Sequence, residues 1–244
     1  MNSTVFALTL RQFAGQRRSL VMFVLALAPI ALAIVYRLGD HLDQPDWTVN
    51  VLLNGIVVTT VLPLACLILG TSAIGSEIEE GTAIFILTKP VPRRDTIGAK
   101  FAASTLVAAL FVLPATAVSG LIALWGAPGE GIVTGFTIAA LFGVLAYTAV
   151  FILLSVATSR ALLFGLGYVF IWEGLVTELF SGTRYLSVRQ YCLGIADLFA
   201  TVSERDFDAN LGGPEALILA SAVTAATLVL AVRRFEAFEI TDTD

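Results

Sequence analysis

Long apolar runs separated by short polar stretches set the pattern of this chain. The runs fill residues 20–36, 49–74, 97–125, 132–158, 161–180 and 215–232. A helix needs about 20 apolar residues to cross a hydrocarbon core of roughly 30 Å, and the first and shortest run suits a thin or locally adapted bilayer. Because a helix satisfies its own backbone hydrogen bonds in lipid, the pattern predicts an all-α membrane protein with six transmembrane helices. Pro114 marks a kink in the third.

The polar stretches are organised. Val5, Phe6, Thr9, Leu10 and Phe13 recur at spacings of three and four, with Arg11, Arg17 and Arg18 elsewhere. That predicts an N-terminal interfacial helix within residues 1–18, basic and amphipathic rather than a cleavable apolar leader. Between the first two runs lie Asp40, His41, Asp43 and Asp46, a solvated loop. In the stretch 181–213, Tyr185, Val188, Cys192, Ile195 and Phe199 share one helical face, which predicts an outer helical segment packed on the membrane surface. The most charged connection is 76–100, SEIEEGTAIFILTKPVPRRDTIGAK.

Composition agrees with the membrane reading: 57% of residues are hydrophobic and 14% charged, with a mean hydropathy of +0.89. A soluble domain of this length needs more polar surface. The net charge of −5 speaks against nucleic acid as a partner but hides an asymmetry. Arg11, Arg17, Arg18, Lys89, Arg93, Arg94, Lys100, Arg160, Arg233 and Arg234 fall on one side of the six-span topology, and Arg37, Arg184, Arg189 and Arg205 on the other. Positive charge marks the cytoplasmic side, so both termini are expected there, which requires an even number of spans.

Candidate chemistry is sparse. Gly70 and Gly75 are five apart, but Ser76 and Glu77 stand where a phosphate-binding loop needs lysine. Glu79-Glu80 lacks the arginine of a Glu-Glu-x-x-x-Arg protease motif, Ile84 taking its place, and His41 lies on the opposite side. Cys66 and Cys192 form no metal-spaced pair and read as small buried hydrophobes. Glu173 and Glu178 fall in or near the end of the fifth run. Ionisable groups in a span are costly and often functional, although a position near the interface would let these two meet water or Arg184. Gly131-x-x-x-Gly135 permits close helix packing.

The stretch 76–100 has an internal order. Glu77, Glu79 and Glu80 open it, Gly81-Thr82 follow, then the apolar run 83–87, then Lys89-Pro90-Val91-Pro92-Arg93-Arg94. The prolines end any helix, the apolar run is too short to span, and acids before a helix with bases after it suit the helix dipole. On the residues alone this is a solvated connector carrying a positive-inside signal. In sequence, though, a span, Glu-x-x-x-Gly-Thr, a short apolar run, Pro-Val-Pro-Arg and a lysine opening the next span resemble the permease subunits of ABC-2 type transporters. Glu77, Gly81-Thr82, Pro90, Arg93 and Lys100 take the matching positions, with Lys89 before the proline and the doubled Arg93-Arg94 as departures. The basic N-terminal helix, six spans and outer helical segment extend the resemblance over the whole chain.

That resemblance implies a single permease domain, 1–244, in the cell (plasma) membrane. Its loop 76–96 would be a cytoplasmic coupling helix seated in a groove of a separate ABC ATP-binding subunit. Glu77, Glu80, Gly81, Thr82, Pro90 and Arg93 are the implied coupling residues, with Glu77 and Arg93 either contacting the ATPase or fastening the loop to its own helices. A second permease subunit, identical or not, and membrane lipid are the other implied partners. ATP and Mg would sit on the ATPase, with no catalytic, cofactor or metal site on this chain, and the direction would be export. Two other readings are an ion-coupled carrier or channel using Glu173, and a non-transporting anchor that recruits a soluble partner. The first predicts inverted repeats and broken helices; no repeat is evident, though Pro29, Pro63 and Pro114 interrupt spans.

Overall fold

The computed structural model of the chain describes residues 3–13, 15–39, 44–79, 92–126, 131–200 and 211–237, with the backbone alone at 16–18, 76–79, 178 and 181. Among these residues every element is helical. Among the described residues, five helical stretches are long and apolar enough to cross a membrane: Ser19–Arg37, Gln44–Gly75, Arg93–Ala123, Ile132–Ala157 and Gly213–Glu236. The protein is a multi-pass membrane protein.

Helix α1 spans Ser3–Phe13 and α2 Gln16–Arg37. The interfacial helix is thus shorter than its basic residues implied, and Arg17 and Arg18 already belong to α2. Helix α3 runs from Gln44 to Glu79, and its portion Thr48–Val61 takes the wider π geometry. Pro63 follows that portion with only Leu62 between. It has no N–H to give and its ring crowds the carbonyl four residues earlier, so the ladder ahead of it shifts to five-residue steps. The Leu62 N–H donates to Val57 O, and the Thr59 and Thr60 hydroxyls reach back to Asn54 O and Gly55 O at 2.8 and 3.3 Å.

Helix α4 is Arg93–Ala123 and α5 is Ile132–Ala157. Helix α6 covers Ala161–Leu179, with Tyr168–Val176 again in π geometry. A 3-10 turn, Ser181–Leu186, leads to α7, Val188–Phe199, and α8 is Gly213–Glu236. Helix α5 is the centre of the bundle and packs against α3, α4, α6, α7 and α8. Its Phe136, Tyr147, Phe151 and Ile152 are fully enclosed. Helices α1 and α2 lie against α4, with Thr9 and Phe13 as the buried face of α1. One end of the bundle gathers Arg11, Arg93, Arg94, Lys100, Arg160, Arg233 and Arg234 and is called the basic end below.

Two places differ from the reading of the sequence. The fifth run yields an apolar helix only over Ala161–Val176, short of the ~20 residues of a full span, because the chain turns back through Ser181–Leu186 onto the end of α6. Thr183 Oγ1 donates to Val176 O, and Trp172 Nε1 to Leu186 O, each at 3.3 Å. The helix after that turn packs into the bundle against α5 and α8, burying Val188, Gln190, Tyr191, Cys192, Leu193, Gly194, Ile195 and Ala196. Of the face read from sequence, Val188, Cys192 and Ile195 are buried while Tyr185 and Phe199 remain exposed. Glycine on α5 permits this approach. A Cβ on Gly135 would stand 2.6 Å from Ala196 O, and one on Gly143 2.6 Å from Cys192 Sγ.

Candidate functional site

At the basic end, α3 finishes with Glu77 in its last turn and α4 begins at Arg93. Glu80, Gly81, Thr82 and Pro90, with most of the stretch 76–96, lie outside the described residues. Pro92 is the N-cap of α4, its carbonyl accepting from the N–H of Asp95 at 2.9 Å and of Thr96 at 3.2 Å. A cation at the first residue of a helix opposes that helix's own dipole. Here the opposition is relieved from outside, because α8 arrives with its carbonyl end. Arg93 Nη1 donates to Phe235 O at 2.8 Å and to Glu236 O at 2.6 Å, so the guanidinium caps the negative end of α8.

Two more side chains fasten the same region. Lys100, within the second turn of α4 and 2% exposed, donates through Nζ to Ala73 O of α3. Gln12 Nε2 of α1 donates to the adjacent Ser72 O at 3.5 Å. Helices α1, α3, α4 and α8 are therefore joined, side chain to backbone carbonyl, around the two ends of the connection between α3 and α4. Such contacts fix the geometry of this end of the bundle. In the sequence, the visible signal for Lys100 was a lysine already inside an apolar run.

The second constellation centres on Glu173, 3% exposed. Among the described residues, Glu173 and Lys100 are the two buried charged side chains. The π turn places Tyr168 and Glu173, five residues apart, on one face of α6. Carboxylate Oε1 accepts from Tyr168 OH at 3.1 Å, from the Val188 N–H at 2.8 Å and from the Arg189 N–H at 3.4 Å. Oε2 accepts from Tyr147 OH of α5. The two amides are the first of α7, and Ser187 Oγ accepts the next free one, from Gln190, at 3.4 Å. Arg189 Nη2 in turn donates to Asn54 Oδ1 of α3 at 3.4 Å.

Glu173 thus meets two tyrosines and a helix N-terminus. A carboxylate accepts hydrogen bonds and donates none, and these four partners are all donors. Sequence reasoning singled out the acid but missed its partners. A usable signal was present: a buried tyrosine hydroxyl seeks a polar partner, and Tyr147 and Tyr168 both stand in apolar runs.

Compared with known protein families, residues 16–181 match the model described as ABC-2 family transporter protein, more than half of the chain and everything from α2 to the turn after α6. No curated protein matches the sequence.

Proposed function

Because the chain belongs to the ABC-2 transporter family, we propose that it is the permease subunit of an ABC transporter, working with a separate ABC ATP-binding subunit. It crosses the membrane six times, counting α6 with its return through α7 as the fifth passage, and both termini face the cytoplasm. The connection 76–96 is the coupling helix, and Glu77, Glu80, Gly81, Thr82, Pro90 and Arg93 carry the contact with the ATPase or hold the loop in place for it. ATP and Mg are bound and turned over on the partner. A second permease subunit completes the path, and transport runs outward.

The observation that carries this reading is the fastening at the basic end, set beside the family match. A motor pushing on the connection between α3 and α4 does work only if its two ends are tied to the bundle. Arg93 on the α8 carbonyls and Lys100 on Ala73 O supply those ties. The displacement can then shift α3 and α8 along α5, which both of them touch. Coupling of this kind requires the partner to bind two arrangements of the bundle with different affinity.

Cysteine labelling tests the topology. Native Cys66 and Cys192 are buried and give little background. A Thr82→Cys variant should resist a membrane-impermeant maleimide on intact cells and react once the cytoplasmic face is opened. Labelling on intact cells would place the connection outside the cell and end the proposal. Substrate-stimulated ATP turnover by the co-purified complex would separate a transporter from a mere anchor.

A further inference from the structure

We propose that Glu173 is a positioning residue whose carboxylate pins the N-terminus of α7 inside the bundle. The inference uses the geometry around Glu173 alone and needs no ATPase partner.

Helix α7 is unusual in where it begins. Tyr147, whose hydroxyl meets the same carboxylate, lies roughly 22 Å along α5 from Ile132 at ~1.5 Å per residue. The first turn of α7 therefore sits deep in the bundle, and the helix passes Gly143 near Cys192 and Gly135 near Ala196 on its way back to the far end. A helix N-terminus exposes amides without partners and a partial positive charge. Buried among apolar helices, those amides have no water to turn to. Glu173 supplies an acceptor to two of them and an opposite charge to the dipole, while Tyr147 and Tyr168 hold the carboxylate from α5 and from its own helix. Thr177 Oγ1 donates to Glu173 O at 2.7 Å and steadies the backbone there. All four donors on this carboxylate belong to the protein itself, three on Oε1 and one on Oε2, and together they tie α5, α6 and the start of α7 at one point, which is the arrangement of an anchor.

The chain carries its own reporter. Cys192 Sγ lies in the α7–α5 contact against Gly143, and Cys66 lies close by in the α3–α5 contact, its thiol near Val144 O. In the full-length protein in membranes, modification by N-ethylmaleimide, followed at each cysteine by mass spectrometry, should be slow at both. In Glu173→Ala, modification of Cys192 should accelerate about tenfold or more as α7 opens locally, with Cys66 unchanged. Glu173→Gln keeps an acceptor for the Val188 amide and loses the charge, so its Cys192 should react at a rate between wild type and Glu173→Ala. If the alanine variant does not accumulate, the isosteric glutamine variant carries the test, Cys192 alone having to react faster than in wild type. A wild-type rate at Cys192 in either variant, equal acceleration at both cysteines, or glutamine exceeding alanine would overturn the proposal.

Discussion

Placing valine at Gly135 should dislodge α7 from α5 and leave little correctly assembled protein. A Cβ at this position would lie 2.6 Å from Ala196 O, 3.3 Å from Ala200 N and 3.4 Å from Phe199 Cβ. The nearest two are backbone atoms of the facing helix and its end, which cannot rotate away as a side-chain tip can. Adding one carbon to a packed interior commonly costs about 1–3 kcal/mol, so Gly135→Ala already falls in that range, and the two further methyls of valine take the cost to about 3 kcal/mol or beyond. For a chain of this length, 1 kcal/mol corresponds to roughly 2–4 °C in Tm. Gly135→Ala should therefore melt several degrees lower, and Gly135→Val should be lost on extraction or melt about 10 °C lower. The comparison is Gly98→Ala in α4, where a Cβ meets nothing within 4 Å. Relief of the glycine entropy cost in a helix should leave that variant neutral or more stable by up to about 1 kcal/mol. Equal melting of the Gly135 and Gly98 variants would mean that α7 does not approach α5 as described.

The sequence revealed most of the architecture because lipid imposes a simple rule. Runs of sufficient length become helices, and α2, α3, α4, α5 and α8 each overlap the run read for them. The failures lie where the rule does not apply. Residues 161–180 have the composition of a span, but composition cannot show that the chain turns back after Phe180 and sends α7 inward. Nor could the face of 188–199 be read correctly: a helix buried among other helices hides nearly all its sides, so periodicity picks out only part of what is buried. The partners of Glu173 come from α5, α6 and the start of α7, and no spacing rule joins Tyr147 to Val188. At the basic end, Arg93 and Lys100 were legible as residues of a recurrent order. That Arg93 reaches α8, 142 positions away, depends on α8 running antiparallel to α4, which only the assembled bundle supplies.

Arg93→Glu should uncouple ATP hydrolysis by the assembled transporter from movement of its cargo. The substitution removes two donors from the last carbonyls of α8 and puts an anion where the dipole of α8 is already negative. Hydrogen bonds to a charged group are worth about 1.5–3 kcal/mol when enclosed. Arg93 is half-exposed, which lowers the figure toward about 1–2 kcal/mol, or roughly a tenfold loss in the occupancy of the fastened state. Both bonds leave the single nitrogen Nη1, and Arg93→Lys keeps the charge and a multiple donor on a side chain one atom shorter, so it should fall between wild type and Arg93→Gln, with Arg93→Glu the worst. Arg94→Glu, one residue on and exposed, changes the charge presented to the partner without touching those carbonyls and should have a much smaller effect. Deleting the chain from Arg234 onward removes the acceptors instead of the donor. If the contact with α8 is what matters, that deletion and Arg93→Glu should not add when combined, because each abolishes the same interaction. The measurements are ATP turnover and its stimulation by cargo in reconstituted vesicles. Full coupling in Arg93→Glu would show that the link from α4 to α8 does not carry the coupling, and an equal loss in Arg94→Glu would show that charge facing the motor acts in its place.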